Sequence, residues 1–234
     1  KSSFPDPEHV IKDLWITNVT RDGVHIAGGR GAMFVSNINI GSCGRHGYFD
    51  KAYDQIQNNI YIGGIGADGV VLQGGTHTMS NVKAFFCGNG AKQFEDWPDD
   101  FFGNAKLGSS ATGYDNGTPS GEDWRHCVGF HIQSCGGVKI SNAESQDTYG
   151  PGLRINGAHG FQFTGGLFNV GDLAPNGPRN GDSGWGATVD PFAGTRAAVE
   201  INQAHDCDIR FVTYLQNILN TSQTIEMDYA VRFS

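Results

Sequence analysis

The sequence predicts an all-β protein, a single-stranded right-handed parallel β-helix of about seven or eight coils. Three observations lead to this prediction. Glycine contributes 35 of the 234 residues, about twice its usual share, which implies many turns and therefore many short strands. A motif of glycine, an apolar residue, any residue and a second apolar residue recurs along the chain. Segments that alternate apolar and polar residues precede most copies of the motif, and no helical stretch separates them.

The recurring motif sets the period of the predicted coil. Its copies begin at Gly23, Gly47, Gly69, Gly90, Gly129 and Gly152, with alanine in place of glycine at Ala198 and Ala230. The spacings between successive copies are 24, 22, 21, 39, 23, 46 and 32 residues. The four short spacings define a coil of ~22 residues. Each longer spacing indicates either one coil with an insertion or two coils.

The second strand of each coil comes from the alternating segments. These are IKDLWITN, AMFVSNINI, NNIYIGG, MSNVKAFF, GGVKISNA, HGFQFTGG and CDIRFVT, each with the period of two that a half-buried strand has. A unit of two short strands cannot bury its own apolar face, so it must stack on copies of itself. An antiparallel sandwich, the alternative, predicts no phase relation over ~22 residues. We therefore expect a single β-helix domain over residues 1–234.

Two insertions interrupt the predicted coil, at residues 92–127 and 171–196. The first contains Trp97, Trp124 and many acidic residues, and the second contains Trp185. Long loops in compact domains are often functional, and aromatic rings stack well on the apolar faces of sugars. We expect these tryptophans to bind a substrate. The alternative is that both loops only cap the coil or form subunit contacts.

The third position of the motif predicts a column of outward side chains, because side chains alternate along a strand and stack between coils. The column is His25, Phe49, Val71, Lys92, His131, Arg154, Glu200 and Arg232, and the next outward position adds Gln133, Asn156 and Asn202. His131, Arg154 and Glu200 are residue types that sugar chemistry uses. We expect Glu200 to be a catalytic carboxylate, His131 to transfer a proton, and Arg154 and Asn156 to bind substrate. A merely solvated face is the alternative.

Two more carboxylates are candidates for the catalytic partner of Glu200. Glu144 and Asp147 lie in NAESQDTYGPG, which we expect to be a turn that places them near Arg154. A glycosidase uses two carboxyl groups, one as acid and one as base or nucleophile. The sequence leaves open which of the two roles Glu200 has.

Charge and composition restrict the partners. The net charge of −8 argues against nucleic acid, because phosphate binding requires Lys and Arg patches. No apolar run reaches transmembrane length, and no signal peptide is evident. We predict no metal and no cofactor; calcium at the acidic residues of 92–127 is an alternative, although the EF-hand spacing is absent. The tail IEMDYAVRFS is predicted to be strand, and because uncapped strand edges must be covered or shared, we expect a homotrimer.

The segments GVKISNAESQDTYGPGLRINGAHGFQFTGGLFNVG and NNIYIGGIGADGVVLQGG resemble the pectate-lyase-like right-handed parallel β-helix superfamily. This group includes polysaccharide lyases, glycoside hydrolases, epimerases and bacteriophage tailspikes. The resemblance covers most of the chain and implies an extracellular or virion-surface protein. The Asn-Thr-Asp and Gly-His-Gly motifs of polygalacturonases and the Arg-x-Pro-x-x-Arg motif of plant-type pectate lyases are missing.

We therefore expect a carbohydrate-active enzyme that cleaves a polysaccharide in a groove on the β-helix surface. Hydrolysis is slightly favoured over β-elimination, because a negatively charged protein repels a polyanionic substrate. The alternative is a non-catalytic module that binds a host-surface glycan, such as the receptor-binding shaft of a phage tail.

Overall fold

The structure is a computed structural model that describes residues 9–29, 31–87, 128–148, 151–170, 197–215 and 229–233. Every element in these ranges is a β-strand, and the strands form two sheets of seven strands each, parallel throughout. Successive strands of the chain alternate between the sheets, so the chain winds as a coil. The predicted parallel β-helix is confirmed.

Sheet A contains the longer strands: β1 (His9–Val19), β3 (Met33–Cys43), β5 (Gln55–Ile65), β7 (His77–Cys87), β9 (Lys139–Thr148), β11 (Gln162–Val170) and β13 (Asp208–Leu215). Sheet B contains the strands of the glycine motif: β2 (Val24–Ile26), β4 (Tyr48–Asp50), β6 (Val70–Gly74), β8 (Phe130–Cys135), β10 (Leu153–Asn156), β12 (Ala197–Asn202) and β14 (Tyr229–Phe233). All seven alternating segments of the sequence lie largely within strands of sheet A.

Most of the long strands of sheet A bend near their middle, at a residue with a left-handed backbone. The φ angle is 56° at Asn37, 54° at Asn59 and Asn81, and 50° at Asn142. Asparagine tolerates this conformation better than most residues do. The bend residues also bond from coil to coil: Asn37 Nδ2 donates to Asp13 Oδ1 at 2.9 Å, and Asn142 Nδ2 donates to Asn81 Oδ1 at 2.7 Å. One strand can therefore cover two sides of the coil.

The core lies inside the coil, between the two sheets. Its sheet B layers are the stacked inward residues of the motif, for example Ile132 between Leu72 and Ile155. Asp50 departs from this apolar pattern, since it is inward and fully buried. Its carboxylate accepts hydrogen bonds from the Tyr48 hydroxyl at 2.9 Å and from the backbone N–H of Ala52 at 2.9 Å, so this polar group is satisfied.

The coil predicted at Gly90 is wrong. Strand β6 pairs directly with β8, and Val71 lies opposite His131, so the motifs at Gly69 and Gly129 belong to neighbouring coils. Lys92 therefore has no place in the outward column between these two residues. Strand β10 likewise pairs directly with β12. The predicted insertions 92–127 and 171–196 thus fall between strands that stack on each other, and their residues lie outside the described ranges.

The turn predicted at NAESQDTYGPG is also wrong in its first half. Strand β9 continues to Thr148, so Glu144 and Asp147 lie in sheet A. The reason is that alternation resumes after the bend at Asn142: Ala143 and Ser145 are buried and Glu144 is partly exposed, as in the other long strands. Glu144 pairs with Lys83 at 3.3 Å on the outer side of sheet A, and it does not join the sheet B column that contains Arg154.

Candidate functional site

The outward column of sheet B is continuous through the coils. In register order it is His25, Phe49, Val71, His131, Arg154, Glu200 and Arg232. The neighbouring outward column is Gln73, Gln133, Asn156 and Asn202. Apart from Lys92, the placement predicted from the motif is confirmed. His131, Arg154 and Glu200 therefore lie on three adjacent strands, ~4.8 Å apart from one to the next.

Part of this column is buried although it faces away from the core. Phe49 is 4%, Val71 0% and His131 5% exposed. The Phe49 ring stacks on His25 with 4.7 Å between ring centroids, and on His46 with 5.7 Å. The outer face of sheet B is therefore not simply exposed to solvent in these coils. Any polar group here must find its hydrogen-bond partners within the protein.

Asp68, in the turn before β6, is the partner of His131. His131 Nδ1 donates to Asp68 Oδ2 at 3.0 Å, and the backbone N–H of Val128 donates to Asp68 Oδ1 at 2.8 Å. Burial raises the pKa of Asp68, but the hydrogen bond from His131 and the nearby imidazoles outweigh burial and lower it overall. Asp68 is therefore an ionised carboxylate near neutral pH.

The other side of the His131 ring faces a chain of side-chain amides. Asn156 Nδ2 donates to His131 Nε2 at 2.9 Å. Gln133 Nε2 lies 3.0 Å from His131 Nε2 and 3.3 Å from His131 Nδ1. Each amide accepts in turn: Asn202 Nδ2 donates to Asn156 Oδ1 at 2.8 Å, and Gln73 Nε2 donates to Gln133 Oε1. The amides of four neighbouring strands are thus linked through one imidazole.

Three of these amides, those of Gln73, Gln133 and Asn156, line a groove on the outer face of sheet B. The groove has a volume of about 630 Å³, and its polar lining side chains are Lys51, Tyr53, Gln73, Gln133, Ser134 and Asn156. Tyr53 is 50% exposed at its edge. A floor of amides beside an exposed aromatic ring suits a ligand that carries both hydroxyl groups and apolar faces.

Arg154 and Glu200, predicted as substrate clamp and catalyst, bind each other. Arg154 Nε donates to Glu200 Oε2 at 2.8 Å, and their side chains are 12% and 14% exposed. A charge-assisted bond of this kind fixes the orientation of both groups. A ligand carboxylate at Arg154 would compete with Glu200 for the guanidinium.

A second buried cluster lies one and two coils before Asp68. Arg45 Nε donates to Asp22 Oδ1 at 2.7 Å, and His25 Nδ1 lies 2.5 Å from Asp22 Oδ2. Burial raises the pKa of Asp22, but the Arg45 hydrogen bond and the charges of His46 and Arg45 outweigh it, and the pKa falls to about 2. Burial lowers the pKa of His46 to about 4, against the attraction of Asp68 and Asp22. His46 is therefore neutral at pH 7, with Nδ1 3.8 Å from Asp68 Oδ2.

Sequence reasoning missed Asp68, Asp22 and His46. All three stand immediately before the glycine of the motif, in ADG, RDG and RHG. The Asp-Gly pairs indicate turns, and we interpreted them only in that way. The signal that could have revealed them is positional. They occupy the same place in three successive coils and therefore stack, just as the third position of the motif does.

The remaining predicted substrate-binding residues and one predicted catalytic carboxylate lie outside the part of the chain that the structure describes. Trp97, Trp124 and Trp185 lie outside the described residues, and so does the side chain of Asp147. Within the described ranges, no group of three or more His, Cys, Asp or Glu side chains could hold a metal ion. Nor does that part of the chain contain a helix long and apolar enough to cross a membrane.

The comparison with solved structures finds the same fold in bacteriophage tailspikes. The enzymatically active domain of tailspike protein 2 from bacteriophage CBA120 matches with a TM-score of 0.61 and 16% identity, over 97% of this chain and 27% of that chain. Full-length tailspike protein 2, from an Escherichia coli O157:H7 bacteriophage, gives 0.61 and 16% over 97% of this chain and 24% of that one. No family model and no curated protein match the sequence. The chain spans about a quarter of the length of these structures and shares their parallel β-helix fold.

Proposed function

We propose that this chain cleaves a polysaccharide bound along the outer face of sheet B, as part of a tailspike-like protein on a virion surface. The observation that carries the proposal is the amide-lined groove of sheet B, with His131, Arg154 and Glu200 on adjacent strands beside it. The fold shared with an enzymatically active tailspike domain supports it.

The groove suits a polymer better than a small molecule. Its lining extends from the residues that follow β2, Ala27 to Gly29, past Lys51 and Tyr53 after β4, and across β6 and β8 to Asn156 of β10. Five adjacent strands span four intervals of ~4.8 Å, or about 19 Å, which is enough for several sugar rings in a row. Amides bind hydroxyl groups, and the Tyr53 ring offers a stacking surface.

The reaction we propose is hydrolysis, with Glu200 as one of the two carboxyl groups it requires. The bond from Arg154 at 2.8 Å holds the Glu200 carboxylate in a fixed orientation. β-Elimination is the second candidate, favoured by one observation: His131, oriented by Asp68, lies one strand from Arg154. A neutral imidazole can remove a proton next to a uronate, and a guanidinium can neutralise the uronate charge.

The test is to incubate the purified protein with a panel of bacterial capsular and lipopolysaccharide glycans. New reducing ends alone indicate hydrolysis, whereas reducing ends with the ultraviolet absorbance of an unsaturated uronate indicate elimination. Glycan binding without new ends overturns the enzymatic proposal and favours the receptor-binding alternative.

A matched pair of variants locates the site on sheet B. Glu200→Gln should lower the rate at least ~10²-fold, because it removes the charge while keeping the shape. Glu144→Gln makes the same change on sheet A, where Glu144 pairs with Lys83, and should leave the rate unchanged. Full activity of Glu200→Gln on a confirmed substrate would exclude Glu200 as the catalyst.

A further inference from the structure

We infer that Asp68, acting through His131, fixes the direction of the hydrogen-bonded amides that line the sheet B groove. Asp68 is thus a positioning residue, because it acts on the ligand through other groups. The geometry stands on its own, but its consequence for ligand binding rests on the proposed function.

His131 carries its ring hydrogen on Nδ1. Both oxygens of Asp68 accept hydrogen bonds, Oδ1 from the Val128 N–H and Oδ2 from His131 Nδ1. An ionised carboxylate can only accept, so the nitrogen that faces it at 3.0 Å must carry the hydrogen. In the neutral ring this leaves Nε2 with a lone pair and no hydrogen.

The position of this hydrogen determines the orientation of the amides beside the ring. A bare Nε2 only accepts, so Asn156 and Gln133 must turn their NH2 groups towards it, as they do at 2.9 and 3.0 Å. Gln133 Nε2 also lies 3.3 Å from Nδ1, but an Nδ1 that carries the hydrogen cannot accept, so the hydrogen bond from Gln133 goes to Nε2. Their carbonyl oxygens then point away from the ring and need donors. Asn202 Nδ2 and Gln73 Nε2 supply these donors. One hydrogen at Nδ1 thereby sets four amides on β6, β8, β10 and β12.

Among the charged or titratable groups near the His131 ring, Asp68 is the group that orients the ring. His46 is neutral at pH 7 and lies 3.8 Å from Asp68. Arg154, the neighbour of His131 on β10, bonds to Glu200. A hydrogen on Nε2 instead would face two NH2 groups, and the amides would have to turn over.

The inference narrows the ligand class. Apart from Lys51, the polar side chains that line the groove are uncharged, and its floor consists of amides whose donors and acceptors have fixed places. Such a floor recognises the hydroxyl groups of neutral sugar residues, because a reversed amide would present a carbonyl where a ligand hydroxyl needs an N–H. We therefore assign the groove to the neutral residues of the glycan.

The experiment is nuclear magnetic resonance on protein labelled with ¹⁵N at His, Asn and Gln, with His131→Gln to assign the ring signals. We expect His131 to carry hydrogen on Nδ1 and none on Nε2. We also expect couplings across the hydrogen bonds from Asn156 Nδ2 and Gln133 Nε2 to His131 Nε2. Hydrogen on Nε2, or the lack of both couplings, overturns the inference.

Two matched variants test the role of Asp68. Asp68→Asn should lose the single ring form and the couplings, since a carboxamide can donate as well as accept. Asp22→Asn changes an equally buried carboxylate that bonds to Arg45 and not to His131, and it should keep both signals. Unchanged signals in Asp68→Asn would overturn the role of Asp68. If Asp68→Asn does not fold, the wild-type spectrum decides.

The functional arm uses the glycan identified in the cleavage assay. Asp68→Asn should weaken its binding about tenfold, the equivalent of one lost hydrogen bond, whereas Asp22→Asn should not. Unchanged binding in Asp68→Asn overturns the assigned consequence. If no glycan binds the wild-type protein, the proposed function fails, while the spectra still decide the orientation of the amides.

Discussion

Glycine begins most copies of the motif, and at Gly69 it should be replaceable only at a large loss of stability. A Cβ atom on Gly69 would lie 2.7 Å from the Gly129 carbonyl oxygen, 2.8 Å from Ala84 Cβ and 2.9 Å from Cys87 Sγ. Gly47 has the same relation to the next coil, with its Cβ 2.7 Å from the Gly69 oxygen. The coils approach too closely at this corner for any side chain, so Gly69→Ala must push them apart.

The size of the effect follows from these contacts. Adding a methyl group to a packed core costs about 1–3 kcal/mol, and the upper end applies because the Gly129 oxygen and Ala84 Cβ cannot rotate away. Replacing glycine at a position without strain stabilises by about 0.4–1 kcal/mol through the unfolded chain. The net loss for Gly69→Ala is then about 2 kcal/mol, about a 30-fold change in the ratio of folded to unfolded protein.

Guanidinium unfolding followed by circular dichroism measures this loss as a lower midpoint at unchanged slope. The control is Gly136→Ala, because a Cβ there meets no atom within 4 Å. The control should match or slightly exceed the wild-type midpoint. If Gly69→Ala stays within about 0.5 kcal/mol of wild type, close approach of the coils is not the reason for this glycine.

Four further outcomes are expected. Ile155→Asp should abolish folding as judged by circular dichroism, because Ile155 is fully buried and an unpaired buried carboxylate costs several kcal/mol; a folded variant would contradict the core assignment. Burial depresses the pKa of His46 from 6.5 to about 4, so the unfolded chain binds the proton first and stability should fall as pH drops from 6.5 to 4. Asp22, with its pKa lowered from 3.8 to about 2, should add a loss below pH 3.8. His46→Gln should reduce the first loss in the unfolding midpoints, to which His77 also contributes because burial lowers its pKa, and should leave the second loss unchanged. Mass spectrometry after alkylation of native protein should find exposed Cys207 modified, and the buried thiols of the described structure, Cys43, Cys87 and Cys135, modified only after unfolding. Light scattering should give three times the chain mass of 25.1 kDa, whereas a single chain mass would contradict the predicted homotrimer.

The sequence determined the fold and the register of the outward column. Strand alternation is a property of the backbone, and the close approach that excludes a Cβ at Gly69 favours glycine at the start of the motif, although Ala198 and Ala230 occupy this place in the coils of β12 and β14. The phase of the motif therefore placed His131, Arg154 and Glu200 in one outward column without knowledge of the structure, and the pairing of β10 with β12 made Arg154 and Glu200 neighbours.

Only the tertiary structure decided how those side chains are used. Whether the spacing from Gly69 to Gly129 holds one coil or two depends on which strands pair, and an insertion of any length leaves that pairing intact. The bond between Asp68 and His131 joins residues 63 positions apart, and the one between Arg154 and Glu200 joins residues 46 apart. Periodicity fixes the direction in which a side chain points, but its partner is fixed by the neighbouring coil, because stacking brings distant turns within hydrogen-bond distance.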